Sequence, residues 1–311
     1  MTKRMPYRDP GPRGARARGI RISEFAVETL IRALGFSTIG FVLLIFLFLL
    51  REGVPMFFEV PPGSLFSARW YPTFAIFGTL PLILGSLLVT LVAICIALPL
   101  GVATAVFMRE VAPRWVREIL KPIIEVLAGI PSVVLGFFGM TMVAPLVREA
   151  LGAPTGLTAF TGALILAYMA LPTIISVADD ALDSVPKSYR DAGLAMGATR
   201  WQTIWGVIVP AARSGILTAV MLGMGRAIGE TMAVMMVTGN AAVLPDSLAS
   251  LFRPIRTMTA TIAAEMGEVA HGSTHYHALF GIGIILFVLT FLINLAAASA
   301  IFEKRRRGGL R

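Results

Sequence analysis

Arg226 and Glu230 interrupt SGILTAVMLGMGRAIGETMAVMMVTG, a run from Ser214 to Gly239 that is otherwise apolar and long enough to cross a bilayer as one helix. Spaced four apart, they are expected to share a helical face, each partly neutralising the other while both look into a bundle interior or a wet cavity. A guanidinium offers five donors in a fixed fork suited to the oxygens of an anion, and it stays charged when desolvated. Lysine would be a poorer clamp. The pair reads as a site on the path of a polar cargo; the competing reading is a packing staple that only sets helix register.

The rest of the chain says that this helix stands in lipid. Hydrophobic residues make up 56% of the 311 residues and charged residues 14%, against about 25% charged in an ordinary soluble domain. An all-α, polytopic membrane protein of about six spans is expected, at about 20 residues per span. The single Cys95 excludes a disulfide framework, a cysteine-based zinc cluster and a dithiol redox motif. The basic N-terminus leads into a long apolar run without a short core and small-residue cleavage site, so the first span is expected to stay in the mature chain.

Charge-free runs map the spans: Ala33 to Leu50, about Phe77 to Met108, Val126 to Val147, the stretch to Ala178 beginning after Pro154-Thr155-Gly156, the run carrying Arg226, and Ala278 to Phe302. Pro81 suits a helix start and Pro99 a kink. Twenty lysines and arginines fall in residues 1–32, 109–121, 179–204 and 303–311, whereas the opposite side holds only Arg51, Arg69, Arg148, Arg253 and Arg256. Both termini are therefore expected in the cytoplasm. The net charge of +9 is mostly this topology signal, and the arm RGARARGIRIS is read as holding the first span against anionic lipid, with no nucleic-acid partner.

Between spans four and five lies a patterned polar segment, DDALDSVPKSYRDAGLAMGATRWQTIWGVIVPAARSGI. It predicts a short helix from Lys187 to Met196, a break at Gly197 and a second helix from about Thr199. Asp191-Ala192-Gly193, Gly197 after three more residues, and Val207 with Val209-Pro210 resemble the EAA loop of ABC importer permeases. Asp stands for the usual Glu, Gly for the second Ala, and Val for Ile and Leu. The resemblance implies a coupling helix that receives ATP-driven movement from a cytoplasmic ATPase, with Tyr189, Asp191, Ala192, Gly193, Gly197 and Pro210 as its residues.

Pro122-Ile-Ile-Glu125-Val-Leu-Ala-Gly129-Ile-Pro131-Ser132, Gly225-Arg226-Ala-Ile-Gly229-Glu230-Thr231-Met232-Ala-Val and Thr238-Gly239-Asn240 are together similar to the phosphate-specific ABC importer permeases, and more to the PstC type than the PstA type. The resemblance implies a type I importer bundle over residues 75–302 with a coupling loop at about 183–210, preceded by a basic arm (1–32) and a first span with its outer loop (33–74), and followed by a basic tail (303–311). It implies a PstA-like partner permease, a PstB-like ATPase dimer that holds ATP and Mg, a PstS-like phosphate-binding protein, and residence in a prokaryotic cytoplasmic membrane. It places Arg226 and Glu230 on the substrate path.

Other residues support weaker readings. Glu125, four after Lys121, is expected to form an interfacial ion pair. Gly129, Pro131 and Ser132 suit either a pathway lined by freed backbone groups or close helix packing. His271, His275 and His277 are expected in an exposed outer loop and not at a metal. Pro245 to Glu268 reads as a re-entrant or surface helix, serving either a docking protein or as a lid. No GxxxxGK[ST] and no nucleophile–base pair occurs, so no cofactor is expected in this chain and an ATPase partner must supply the energy. A permease for sulfate or molybdate is the nearest alternative, and an ion-coupled secondary transporter a more distant one, disfavoured because the halves show no repeat.

Overall fold

The computed structural model describes residues 14–308, so the beginning of the basic arm and the last three residues of the tail lie outside the described residues. Among the described residues six helices are long and apolar enough to span a membrane: Val27–Glu59, Leu80–Val111, Ser132–Leu151, Ala159–Asp183, Arg200–Gly229 and Thr274–Ala296. The number is the expected one; several of the boundaries are not.

α1 (Gly14–Gly53) is one uninterrupted helix that starts inside the basic arm, well before Ala33. A two-stranded hairpin follows, β1 (Trp70–Tyr71) paired antiparallel with β2 (Ile76–Phe77), so Phe77 closes the hairpin and does not begin the second span. α2 (Leu80–Val106) has Pro81 in its first turn, where a missing N–H costs nothing, and runs through Pro99 into a π-helical turn, Phe107–Val111.

The core is built on small residues at four-residue spacing. Gly85, Val89, Ala93, Ala97, Gly101 and Ala105 of α2 are all buried on one face, and Ala219, Gly223 and Ala227 repeat the spacing on α8 (Val209–Gly229). α6 (Ala159–Asp183) packs along both. Lipid supplies no hydrophobic drive for one helix to join another, so close van der Waals approach over such stripes holds the bundle. Ile174 of α6 fills the seam: a Cβ on Gly101 would lie 2.7 Å from its Cγ2, and one on Gly223 2.6 Å from its Cγ1.

The third span departs from expectation. Residues 126–128 end a separate helix, α3 (Arg114–Ala128), and the crossing begins at Ser132 with α4 (Ser132–Phe138), continuing through a π turn at Gly139–Val143 into α5 (Ala144–Leu151). Pro131 has no N–H to give a continuing helix and disfavours helical backbone at Ile130, so a charge-free run is here two helical pieces.

The fifth span also differs. A capping box of Thr199 and Gln202 starts the helical run, as expected near Thr199, and a π turn at Ile204–Ile208 leads into α8. α8 stops at Gly229, Glu230 is extended (φ −69°, ψ 133°), and α9 (Met232–Val237) resumes. The Glu230 carbonyl accepts from Thr259 Oγ1 at 2.9 Å, and its carboxylate accepts from the Ala233 N–H at 3.2 Å. Those bonds replace ladder bonds that a continuous helix would make.

α7 (Lys187–Ala195) lies between spans four and five, and Gly197 adopts φ +83°, the left-handed conformation that ends it. α10 (Met258–Glu265) inserts against α2, with Met258, Ala260 and Thr261 buried and the Met258 N–H donating to Ser86 Oγ at 2.9 Å. Of the expected re-entrant or surface segment, this half packs into the bundle, whereas Leu248 upstream is exposed. α11 (Thr274–Gly308) completes the bundle.

Candidate functional site

Arg226 occupies the last turn of α8. Its Nη1 donates to Thr173 Oγ1 at 3.2 Å and its Nη2 to the Ala128 carbonyl at 3.4 Å. Thr173 lies near the middle of α6, at about 1.5 Å per residue about 21 Å from its start and about 15 Å from its end. Ala128 is the last residue of α3, immediately before the break at residues 129–131. The second break, Glu230–Thr231, follows Arg226 by one turn, and α4 lies against α9, where a Cβ on Gly136 would be 2.9 Å from Ala233 Cα. Two helix ends, those of α3 and α8, thus meet around one guanidinium. Irregular backbone inside a membrane is tolerated where it lines a cavity or is buried in protein.

A cleft of ≈ 270 Å³ opens beside Arg226, lined by both of its partners, Thr173 and Ala128, and by Lys121, Glu125, Ser176 and Asp179. Lys121 and Glu125 do not form the expected ion pair; both turn to this cleft. Gly129 closes α3, Pro131 precedes α4 and Ser132 opens it. A Cβ on Gly129 would meet only its own helix's carbonyls, the nearer at 3.4 Å, so close packing against another helix does not explain it.

Arg226 and Glu230 are not an ion pair, and they do not share a helix. The expected mutual neutralisation fails because the helix ends between them and the Glu230 carboxylate turns to the start of α9. Thr173 was not singled out from the sequence, although Pro172 beside it marks a weakened point in a membrane helix.

The segment resembling a coupling loop has the expected form. Tyr189, Asp191 and Ala192 are exposed on α7, while Gly193 is buried and a Cβ there would lie 2.8 Å from Thr203 Cγ2. Glycine thus lets α7 lie flat on the start of the fifth span, and Pro210 sits in the first turn of α8. Arg190, passed over in the sequence, is tied to Glu110 at 2.5 Å.

The histidines do not behave as one exposed loop. His275 Nε2 bonds Glu265 at 2.8 Å, His277 Nδ1 bonds Glu59 at 2.8 Å, and His271 packs on Tyr276. Glu265 also accepts from Trp70 and from Arg256 (2.6 Å), so it pins the hairpin, α10 and α11 together.

Residues 97–308 match the family described as binding-protein-dependent transport system inner membrane component. The probable ABC transporter permease protein YqgH of Bacillus subtilis is 46% identical over 76% of this chain and 76% of its own length. The phosphate transport system permease protein PstC of Mesorhizobium japonicum is 39% identical (73% and 74% covered), and a PstC 1 of Mycobacterium tuberculosis 35% identical (73% and 73%). Among solved structures, a chain of an importer of the acidic polysaccharide alginate superposes with TM-score 0.60 at 16% identity, covering 90% of this chain and 98% of that one. A chain of the inward-facing MetNI methionine ABC transporter gives 0.58 at 19% identity, covering 76% and 99%. The chain belongs to the binding-protein-dependent ABC importer permeases and, among them, stands with the PstC-type subunits.

Proposed function

We propose that this chain is the PstC-like membrane subunit of an ATP-driven importer of inorganic phosphate, and that Arg226 holds the anion midway. The single observation that carries this reading is the placement of Arg226: a fork of donors against the middle of α6, beside a cleft, where the helices α3 and α8 end. Two of its donors are engaged by neutral oxygens, so no carboxylate competes for the guanidinium. Phosphate oxygens accept the remaining N–H groups in bidentate geometry.

Glu230 serves a second purpose in this reading. One carboxylate oxygen holds the start of α9, and the other is left to accept the proton-bearing oxygen that phosphate has and sulfate lacks. Glycine and proline at 129 and 131 keep open the backbone that lines the path. The PstA-like permease closes the other half of the pathway, and a PstS-like binding protein delivers phosphate to the hairpin end. The α7 end faces the cytoplasm with both termini, and Tyr189, Asp191, Ala192, Gly193, Gly197 and Pro210 form the surface received by a PstB-like ATPase dimer, where ATP and Mg reside. Import requires that Arg226 bind less well in the inward state, since only differential affinity lets one state release what the other holds.

The test is reconstitution with the partner permease, ATPase and binding protein, followed by ATP-dependent uptake of labelled phosphate in competition with sulfate and molybdate. Phosphate uptake that neither rival anion suppresses supports the reading. Uptake of either rival in preference to phosphate, or uptake that persists without ATP, overturns it.

A further inference from the structure

α7 is joined covalently to α6 through residues 184–186 and to the fifth span through Gly197, but not to the second span. The link to the second span is non-covalent. Arg190 of α7 donates to Glu110 through Nη2 at 2.5 Å and through Nε at 3.2 Å to each oxygen, and it also donates to the carbonyls of Val185 at 2.9 Å and Leu182 at 3.2 Å. Both side chains are largely buried, at 21% and 10% exposure, so salt screens the pair little.

Glu110 belongs to the π turn that ends the second span. The same turn is held from the other side: Arg117 of α3 donates through Nε to the Met108 carbonyl at 2.8 Å and through Nη2 to that of Arg109 at 2.6 Å. π turns have looser ladders and recur at functional sites. One arginine from α7 and one from α3 therefore grip a single short, deformable turn. At the far end of α3, about 16 Å from Arg117 at about 1.5 Å per residue, the Ala128 carbonyl accepts from Arg226. α3 is unbroken through Pro122, none of its 15 residues is fully buried, and it touches the core through the partly buried Leu120 and Ile124, so it can rock with little repacking.

We infer that α3 is a rod carrying movement of α7 to Arg226, and that Arg190, Glu110 and Arg117 are positioning residues in its linkage. A displaced α7 pulls Glu110, the turn moves Arg117, and the Ala128 carbonyl shifts against the guanidinium. The assignment of cargo rests on the phosphate reading above; the linkage itself does not.

The test uses the complete importer with Glu110→Gln, Arg190→Gln and the charge-keeping Arg190→Lys. Expected for both Gln variants is normal co-purification of the ATPase and continued ATP hydrolysis, with phosphate moved per ATP falling at least about tenfold, and an intermediate loss for Lys, which keeps charge without the fork. Uptake within about twofold of the parent in the Gln variants, or loss of the ATPase from the complex, overturns the inference. Independently of cargo, spin labels at Glu118→Cys and Tyr168→Cys in a Cys95→Ala background report α3 against α6. Their distance is expected to change between the nucleotide-free and vanadate-trapped importer, and to stay fixed when Glu110→Gln is added. A parent distance that does not change, or a change that survives Glu110→Gln, overturns the linkage. A parent that moves no phosphate but shows the Glu110-dependent change refutes the cargo and leaves the rod standing.

Discussion

Replacing Arg226 by lysine separates its charge from its geometry. The native guanidinium spends two donors on Thr173 and Ala128 and keeps three N–H groups for an anion. An ammonium has three donors radiating from one point, so it cannot satisfy both protein oxygens and clamp two anion oxygens together. Losing one charge-assisted bond costs about 1.5–3 kcal/mol, which is about 10- to 150-fold in uptake. Alanine removes the charge as well: a unit pair about 4 Å apart is worth about 4 kcal/mol at an effective dielectric of about 20, or close to a thousandfold. Arg226→Lys is therefore expected to transport about 10- to 150-fold more slowly than the parent and Arg226→Ala close to background. The assay is labelled-phosphate uptake into proteoliposomes containing the assembled importer, with ATP hydrolysis followed in parallel to show that the complex is intact. Lysine at more than a third of parental uptake, or alanine no worse than lysine, would refute the argument.

Three further outcomes are expected. Glu230→Gln should lower phosphate uptake and raise sulfate uptake relative to the parent, measured by direct competition; unchanged selectivity would leave Glu230 with only its α9 contact. Gly101→Val and Gly223→Val each force a side chain against Ile174, and overpacking of about 1–3 kcal/mol should lower the thermal midpoint in detergent, whereas Gly225→Val, with open space around it, should not. Glu265→Ala strands Arg256 and should cost about 3 kcal/mol of stability, read as a lower midpoint and faster proteolysis of the segment between α9 and α11.

Six crossings, the α7 helix and its Gly197 stop could be read from charge-free runs and turn residues, because lipid and local backbone chemistry dictate them. Arg226 stood out as readily, since an arginine in an apolar run needs a reason. Its partners were not. A four-residue spacing made Glu230 look like a neighbour, and the break that separates them depends on Thr259, which lies 29 residues away along the chain. Pro131 was read as a disturbance within a span, but it divides two helices, and charge counting placed α3 partly in that span because residues 126–128 carry no charge. The small-residue stripes were present in the sequence as Gly85, Ala93, Ala97 and Gly101, a periodic signal that hydropathy averages away. The pairing of His275 and His277 with carboxylates from other segments had no local signature at all.

The cleft that ends at Thr173 and Ala128, the partners of Arg226, has an electrical corollary if it admits water to the middle of the bilayer. Water admitted to mid-depth would short-circuit part of the insulating layer, concentrating the transmembrane voltage across the remaining thickness. A full crossing is worth about 2.3 kcal/mol per elementary charge per 100 mV, so a monovalent cargo already seated at the guanidinium has about half of that left to negotiate. Polarising the vesicles should then alter delivery to the arginine and departure from it unequally, which makes membrane potential a probe of which half of the journey limits the cycle.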